Sequence, residues 1–281
     1  MTSSVSATAT EPERLPSLSP SRAADFVACP LRYRFRTVDR LPEPPSADAA
    51  RGTLVHLALE RLFDLAPAER RPEQAVALLD PAWAELCAAE PELLALHPDD
   101  AERDRWLESA RAIVRRYFDL EDPRRLHPVG REVPVELVHE DGLVLRGIID
   151  RLDEAPDGAL RVVDYKTGRP PGERYEATAL FQMRFYALLL WRTRGVVPRR
   201  LELLYVADGT VLAIEPDESD LRATERRILA VAAAIREAEQ TGDWRPGDNP
   251  PCRWCAHQAL CPRFGGTPPP LPSAEGVTPG S

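Results

Sequence analysis

Lys166 is the only lysine in a chain that carries 36 Lys+Arg, and it stands in the segment Asp164-Tyr165-Lys166-Thr167-Gly168. Arginine serves as a solvated charge or a phosphate clamp, holding its proton above any working pH on a broad planar fork. A compact ammonium two residues from a carboxylate points instead to chemistry. Side chains at i and i+2 of a strand project to one face, so Asp164 and Lys166 lie together if this segment is extended. Asp150 closes the run Gly147-Ile148-Ile149-Asp150, and a hairpin between the two runs brings it alongside. Two carboxylates beside one ammonium, at the end of an apolar sheet, are costly as a structural cluster. They suit a hard divalent cation, because Mg²⁺ takes oxygen ligands and retains several waters. The lysine then orients or deprotonates a water, or neutralises charge on a phosphoryl oxygen. His56 shares a helix face with Gly52 and Glu60, and an imidazole among carboxylates tilts such a site toward Mn²⁺. Glu60 reads as a surface ion pair or, alternatively, as a hydrogen-bonding support for the metal ligands.

The elements that must position these residues follow from periodicity. Ser19 to Cys29 reads as a short helix stopped by Pro30, and 49–63 as an amphipathic helix with Val55, Leu59 and Leu62 on one stripe. Helices are expected over 72–89 and 98–120. The pattern then switches to period two over 132–138, 143–152 and 160–164, with Asp141-Gly142 and Asp157-Gly158 as hairpin turns. These three strands are expected to form an antiparallel meander. A long helix over 176–194, strands over 201–207 and 211–215 and a helix over 219–241 complete an α/β order of helix, three strands, helix and strand, with a helical insertion at 64–128.

The second group of chemistry-bearing residues is Cys29, Cys252, Cys255 and Cys261, the last three in Cys-x-x-Cys-x-x-x-x-x-Cys-Pro. A chain of cytosolic composition with such a cluster is expected to bind metal in preference to forming disulfides. Cys87, amid Trp83, Leu86 and Ala88, reads as a buried helix residue, whereas Cys29-Pro30 echoes Cys261-Pro262 and supplies the fourth thiolate. Four thiolates can hold Zn²⁺ or a [4Fe-4S] cluster, and their spacing does not decide between the two. His257 reads as surface exposed.

Composition narrows the remaining classes. A net charge of −9 over 281 residues argues against coating nucleic acid through a global field, while leaving room for a local basic groove. Arg32, Arg34 and Arg36, and Arg111 and Arg115 with Arg116, read as solvated surface. No apolar run approaches the roughly 20 residues of a membrane helix, so a cytoplasmic protein without membrane contacts is expected. Residues 1–16 and 265–281 are expected to be disordered tails around a domain spanning 17–264, the first lacking the pattern of a signal peptide. A Walker A loop needs Gly-Lys-Ser or Gly-Lys-Thr, and the single lysine follows Tyr165, so there is no P-loop motor.

In order along the chain, Gly52-x-x-x-His56, Gly147-x-x-Asp150-Arg151, Asp164-Tyr165-Lys166-Thr167-Gly168 and Gln182-x-x-x-Tyr186 resemble the motifs of the RecB-like branch of the PD-(D/E)XK nuclease superfamily. The resemblance implies a restriction-endonuclease-like α-β-β-β-α-β core, with a cysteine-rich iron-sulfur segment at 244–264. It implies a metal-dependent deoxyribonuclease using Mg²⁺ or Mn²⁺, acting as a single-strand or DNA-end exonuclease in repair or recombination. His56, Asp150, Asp164 and the Tyr165 carbonyl would bind metal, Asp150, Asp164 and Lys166 would be catalytic, and Gln182 and Tyr186 would support the site and contact DNA. The family's layout of one N-terminal and three C-terminal cysteines implies [4Fe-4S] at Cys29, Cys252, Cys255 and Cys261. Competing expectations are a DNA-end-binding subunit of a helicase complex with little cleavage, a nuclease of CRISPR adaptation, and an RNA-processing enzyme with structural zinc. A separate helicase or repair protein is the expected partner besides DNA.

Overall fold

The computed structural model describes residues 17–168, 173–247 and 252–272. The expected tail at 1–16, most of that at 265–281 and part of the cysteine segment therefore lie outside the described residues.

A short strand β1 (Ser17–Leu18) leads into α1 (Pro20–Ala28), where the Ser19 hydroxyl accepts the Arg22 amide and Pro20 occupies the first turn. Pro30 ends α1 and opens α2 (Pro30–Tyr33). Helix α3 (Ala47–Leu62) is capped by Ser46 and buries Leu54, Val55, Leu59 and Leu62. The helix expected over 72–89 is two, α4 (Pro72–Ala77) and α5 (Leu79–Ala89). Pro81 has no amide hydrogen to offer the Ala77 carbonyl, which breaks the ladder at that point. Helix α6 (Asp100–Leu120) starts at the Asp99 cap.

Strands β2 (Pro128–Val138), β3 (Val144–Glu154) and β4 (Leu160–Lys166) form the antiparallel meander. Gly142 and Gly158 each take φ 81° in the two turns, a conformation that glycine adopts without a Cβ penalty. Helix α7 (Glu173–Arg194) crosses over to β5 (Arg200–Tyr205), which lies parallel to β4, and β6 (Thr210–Ile214) pairs antiparallel to β5. Helix α8 (Glu218–Thr241) begins in a capping box of Asp217 and Asp220 and stops at Gly242. The sheet order is β1-β3-β4-β5-β6, with β2 on the other edge of β3.

Two cores sandwich this sheet. One, beneath α1, α7 and α8, contains Leu145, Ile149, Val162, Leu203 and the apolar face of α7. The other contains Val163, Tyr165, Leu204 and Val206 against α3, α5 and α6. The period of two in β4 thus sends Val163 and Tyr165 toward α3 and leaves Asp164 and Lys166 for the α7 side. No helix among the described residues is long and apolar enough to cross a membrane.

Three surface expectations are revised or refined. Arg34 is buried and pairs with Asp39 at 3.0 Å, while Arg32 and Arg36 converge on Asp25 at 2.5 and 2.7 Å. Arg34 braces the N-terminal segment from within and Arg32 is partly buried, because Asp25 and Asp39 supply counter-charges that residue periodicity does not reveal, while Arg36 stays exposed as expected. Arg111 and Arg115 do form exposed pairs, with Asp80 and Glu108. His257 is 5% exposed, contrary to its surface reading; its Nε2 stands 3.1 Å from Glu43 and its ring packs edge-on against Phe35. The Pro269 carbonyl accepts from Arg34, so this part of the expected tail runs against the body of the protein.

Candidate active site

Antiparallel pairing of β3 with β4 begins at Glu154↔Leu160 and reaches Arg151↔Val163. At the next rung the backbone ladder gives way to a side chain: the Tyr165 amide donates to Asp150 Oδ2 at 2.7 Å. Asp150 is thereby fixed at the point where the strands part. On the α7 side, Lys166 Nζ lies 2.7 Å from Asp164 Oδ2 and donates to Gln182 Oε1 at 2.9 Å. Gln182 Nε2 donates to Asp164 Oδ1 at 2.8 Å and to the Tyr186 hydroxyl at 2.9 Å. An ammonium can only donate, so the bond from Lys166 sets which end of the Gln182 amide is oxygen. The i, i+4 spacing of Gln182 and Tyr186 puts both on the face of α7 that meets the sheet. Gly147 makes room for them, since a Cβ there would stand 2.5 Å from Tyr186 Cε1.

On the α3 side, His56 Nε2 lies 2.8 Å from the Tyr165 carbonyl oxygen, and its Nδ1 3.4 Å from Asp150 Oδ2. Burial lowers the His56 pKa from its usual value, so the ring is neutral at neutral pH and keeps a lone pair for a cation. Gly52, one turn earlier, brings α3 close to β4, where a Cβ would meet Thr167 Oγ1 at 3.2 Å. Burial first, and Asp164 second, push the Asp150 carboxyl up to about 8.

Apart from the cysteines, the site residues singled out from the sequence converge here, from α3 (His56), β3 (Asp150), β4 (Asp164, Tyr165, Lys166) and α7 (Gln182, Tyr186). One was missed. Glu132 on β2 joins His56 and Asp150 in a group whose potential ligand atoms all lie within 4.8 Å of one another. Its signal was present: stepping six residues outward from the pair Val138↔Val144, across the Asp141-Gly142 turn, reaches Glu132 on one strand and Asp150 on the other.

The donor set fits a hard divalent ion. A neutral imidazole and the two carboxylates of Glu132 and Asp150 surround one point, and the raised pKa of Asp150 reflects a surrounding short of positive charge. The 2.8 Å between His56 Nε2 and the Tyr165 carbonyl is a hydrogen-bond distance, and it also approaches the roughly 3 Å between adjacent ligands of an octahedral ion with bonds near 2.1 Å.

Cys29, Cys252, Cys255 and Cys261 line a single small cavity with Leu31, Phe35 and Phe264. Gly247 N donates to Cys29 Sγ at 3.4 Å, and a Cβ on Gly247 would stand 2.2 Å from the Ala28 carbonyl oxygen. Close backbone approach thus joins the end of α1 to the segment that precedes the three C-terminal cysteines. Among the described residues no three thiols come within 4.8 Å of one another, whereas tetrahedral zinc with 2.3 Å bonds holds its sulfurs roughly 3.8 Å apart. Cys87 is buried within α5, away from this cavity.

This fold and this site have relatives. The chain belongs to the PD-(D/E)XK nuclease superfamily, which it matches over residues 17–262. It is 26% identical to the Gene 69 protein of Mycobacterium phage D29 over 89% of this chain and 98% of that one. Identity is again 26% to the Gene 69 protein of Mycobacterium phage L5, covering 89% and 97%. Among solved structures, "Putative exonuclease" from Eubacterium rectale superposes with a TM-score of 0.54 over 85% of this chain and 86% of its own, at 13% identity. That likeness extends to the fold.

Proposed function

We propose that the protein is a metal-dependent deoxyribonuclease of the RecB-like type, hydrolysing phosphodiester bonds as an exonuclease on single strands or DNA ends in repair or recombination. The observation that carries this reading is the convergence of Asp150, Asp164 and Lys166 where two strands part, with His56 on one side and Gln182 on the other. His56, Asp150, Asp164 and the Tyr165 carbonyl would hold Mg²⁺ or Mn²⁺. The ion, when bound, supplies Lewis-acid stabilisation to the phosphate undergoing attack. Asp150 and Asp164 fix where that phosphate sits. Lys166, held by both Asp164 and Gln182, directs its remaining N–H toward the attacking water and offsets the charge that develops on the phosphoryl oxygens. Gln182 and Tyr186 keep the ammonium from drifting and form one wall of the groove shared with Ser19, Arg146 and Ile148, through which a strand would reach the site. Activity would come from the core, the helices α4–α6 being an insertion into it.

We also assign a [4Fe-4S] cluster to Cys29, Cys252, Cys255 and Cys261. The cavity that the four cysteines share is consistent with a common metal site, and the choice of [4Fe-4S] over zinc rests on the family resemblance alone. Its role is a staple: like a disulfide, it closes a loop of more than two hundred residues and restricts the unfolded chain. Any unwinding of duplex would be the work of a separate helicase.

The test is cleavage of end-labelled single-stranded and duplex DNA with Mn²⁺ or Mg²⁺, comparing anaerobically purified wild type with Lys166→Ala. Loss of cleavage in the variant, with stoichiometric iron and sulfide retained, is the expected result. A wild-type protein that binds DNA ends and cuts nothing overturns the enzyme reading in favour of an end-holding subunit.

A further inference from the structure

Glu132 lies outside the motif set and outside the mechanism above, yet both strands are shaped around it. On β2, Arg131 turns toward α3, where its Nη1 donates to the Glu60 carbonyl at 2.7 Å, while Val133 and Val135 pack into the core beneath α7. Arg131 and Val133 have the same parity and face opposite sides, so the alternation of the strand breaks between them. The break falls on Glu132, whose φ of 45° is left-handed, a region that residues with a Cβ rarely occupy. On β3, Ile149 and Leu152 both belong to the core beneath α7, so the alternation breaks there as well, across Asp150 and Arg151. The two breaks are level, because the flanking pairs are Arg131↔Arg151 and Val133↔Ile149. One distorted rung therefore aims Glu132 and Asp150 at His56.

Among the described residues nothing balances this carboxylate. Its charged neighbours at the site are the carboxylates of Glu60, Asp150 and Asp164, and among the described residues no lysine or arginine pairs with it. The side chain is half-buried, so the usual remedy of a freely solvated surface acid is incomplete.

We propose that Glu132 is a ligand of the divalent cation, completing with His56 and Asp150 a subsite on the α3 side of the sheet, with Asp164, Lys166 and Gln182 on the α7 side. The proposal rests on the nuclease reading, deepens it by one residue, and makes the cation shell richer in carboxylate than the motifs imply. Glu132 then adds negative charge to the shell, favouring tight retention of the ion by the protein before DNA arrives.

Mn²⁺ titration of the full-length, chelator-treated protein, read by the loss of the free-ion electron paramagnetic resonance signal, tests this without reference to cleavage. Wild type is compared with Glu132→Gln, Glu132→Gly and Asp150→Asn. Glycine removes the carboxylate and fits φ 45° without strain, so Glu132→Gly should melt no lower than wild type while binding Mn²⁺ roughly 10-fold more weakly or worse. Glu132→Gln should weaken binding to a similar extent. If Glu132→Gly keeps wild-type affinity while Asp150→Asn loses it, Glu132 serves only the backbone and this proposal fails with the nuclease reading intact. A wild type that neither takes up Mn²⁺ nor cleaves DNA sinks both.

Discussion

Asp150 and Arg151 are consecutive on β3, yet they belong to opposite electrostatic situations. Arg151 is 0% exposed and bonds Glu121 at 2.9 Å, Asp153 at 3.1 Å and the hydroxyls of Tyr117 and Tyr165 at 3.2 and 2.6 Å. Arg161 joins Glu121, Asp153 and Glu202, and Arg200 joins Glu202. Three guanidiniums thus meet three carboxylates, and the network ties the end of α6 to the sheet. One residue earlier, Asp150 and Asp164 share one ammonium, that of Lys166, and Glu132 stands beside a neutral His56 with no cation of its own among the described residues. A buried network that is neutral within itself holds a fold together. One left short of positive charge is completed from outside, which is the property a cation-dependent site needs.

If the two rungs differ in this way, each should fail differently. Lys166→Arg keeps the charge but replaces a compact ammonium with a planar fork, and it should lower DNA cleavage roughly 10³-fold while leaving the melting temperature little changed. Equal loss of stability and activity would make Lys166 another member of the structural network. Arg151→Ala should do the reverse. Stranding Glu121 and Asp153 without their partner should cost about 3–5 kcal/mol of stability, read by denaturant unfolding. Cleavage per folded molecule should fall less, by what the loosened Tyr165 ring loses in holding its carbonyl near His56.

The contrast between the rungs also marks what the sequence disclosed. Lys166 was conspicuous because it broke a compositional rule, and the i, i+2 spacing with Asp164 placed both on one face before any fold was known. The meander was legible from two Asp-Gly turns. Glu132 was passed over because it lies outside the quoted motifs, although counting outward from the Asp141-Gly142 turn sets it opposite Asp150; its φ of 45° is visible only in the fold. Arg151 and Arg34 were hidden for a different reason: periodicity treats arginine as surface, and their burial depends on acids distant in sequence, such as Glu121, 30 residues away. The division of 72–89 turned on the missing amide of Pro81, a local fact that the apolar stripe masked.

Packing at the α7 side gives a smaller test. Gly147→Ala places a Cβ 2.5 Å from Tyr186 Cε1, and the ring must move away from Gln182. Overpacking of this kind costs about 1–3 kcal/mol. Because the shift travels through Gln182 to Lys166, cleavage should fall by more than unfolding alone explains. A stability loss with undiminished turnover of the folded fraction would show that Tyr186 shapes the core without supporting the ammonium.

The smallest effect is the most diagnostic for the charge imbalance. Asp150, whose carboxyl burial and Asp164 push up to about 8, titrates near 3.9 in the unfolded chain. Between those values the folded protein holds a proton that the unfolded chain has released, so the contribution of this group to stability is complete below about pH 4 and is lost as pH rises through about 8. Asp150→Asn keeps an acceptor for the Tyr165 amide and removes the titration. In chelator it should therefore unfold at a higher temperature than wild type, with the gap widening from acid toward pH 8. Mn²⁺ should close the gap by stabilising wild type alone. A gap that stays constant with pH would mean that Asp150 is balanced within the chain, as Arg151 is, and the distinction between the two rungs would be lost.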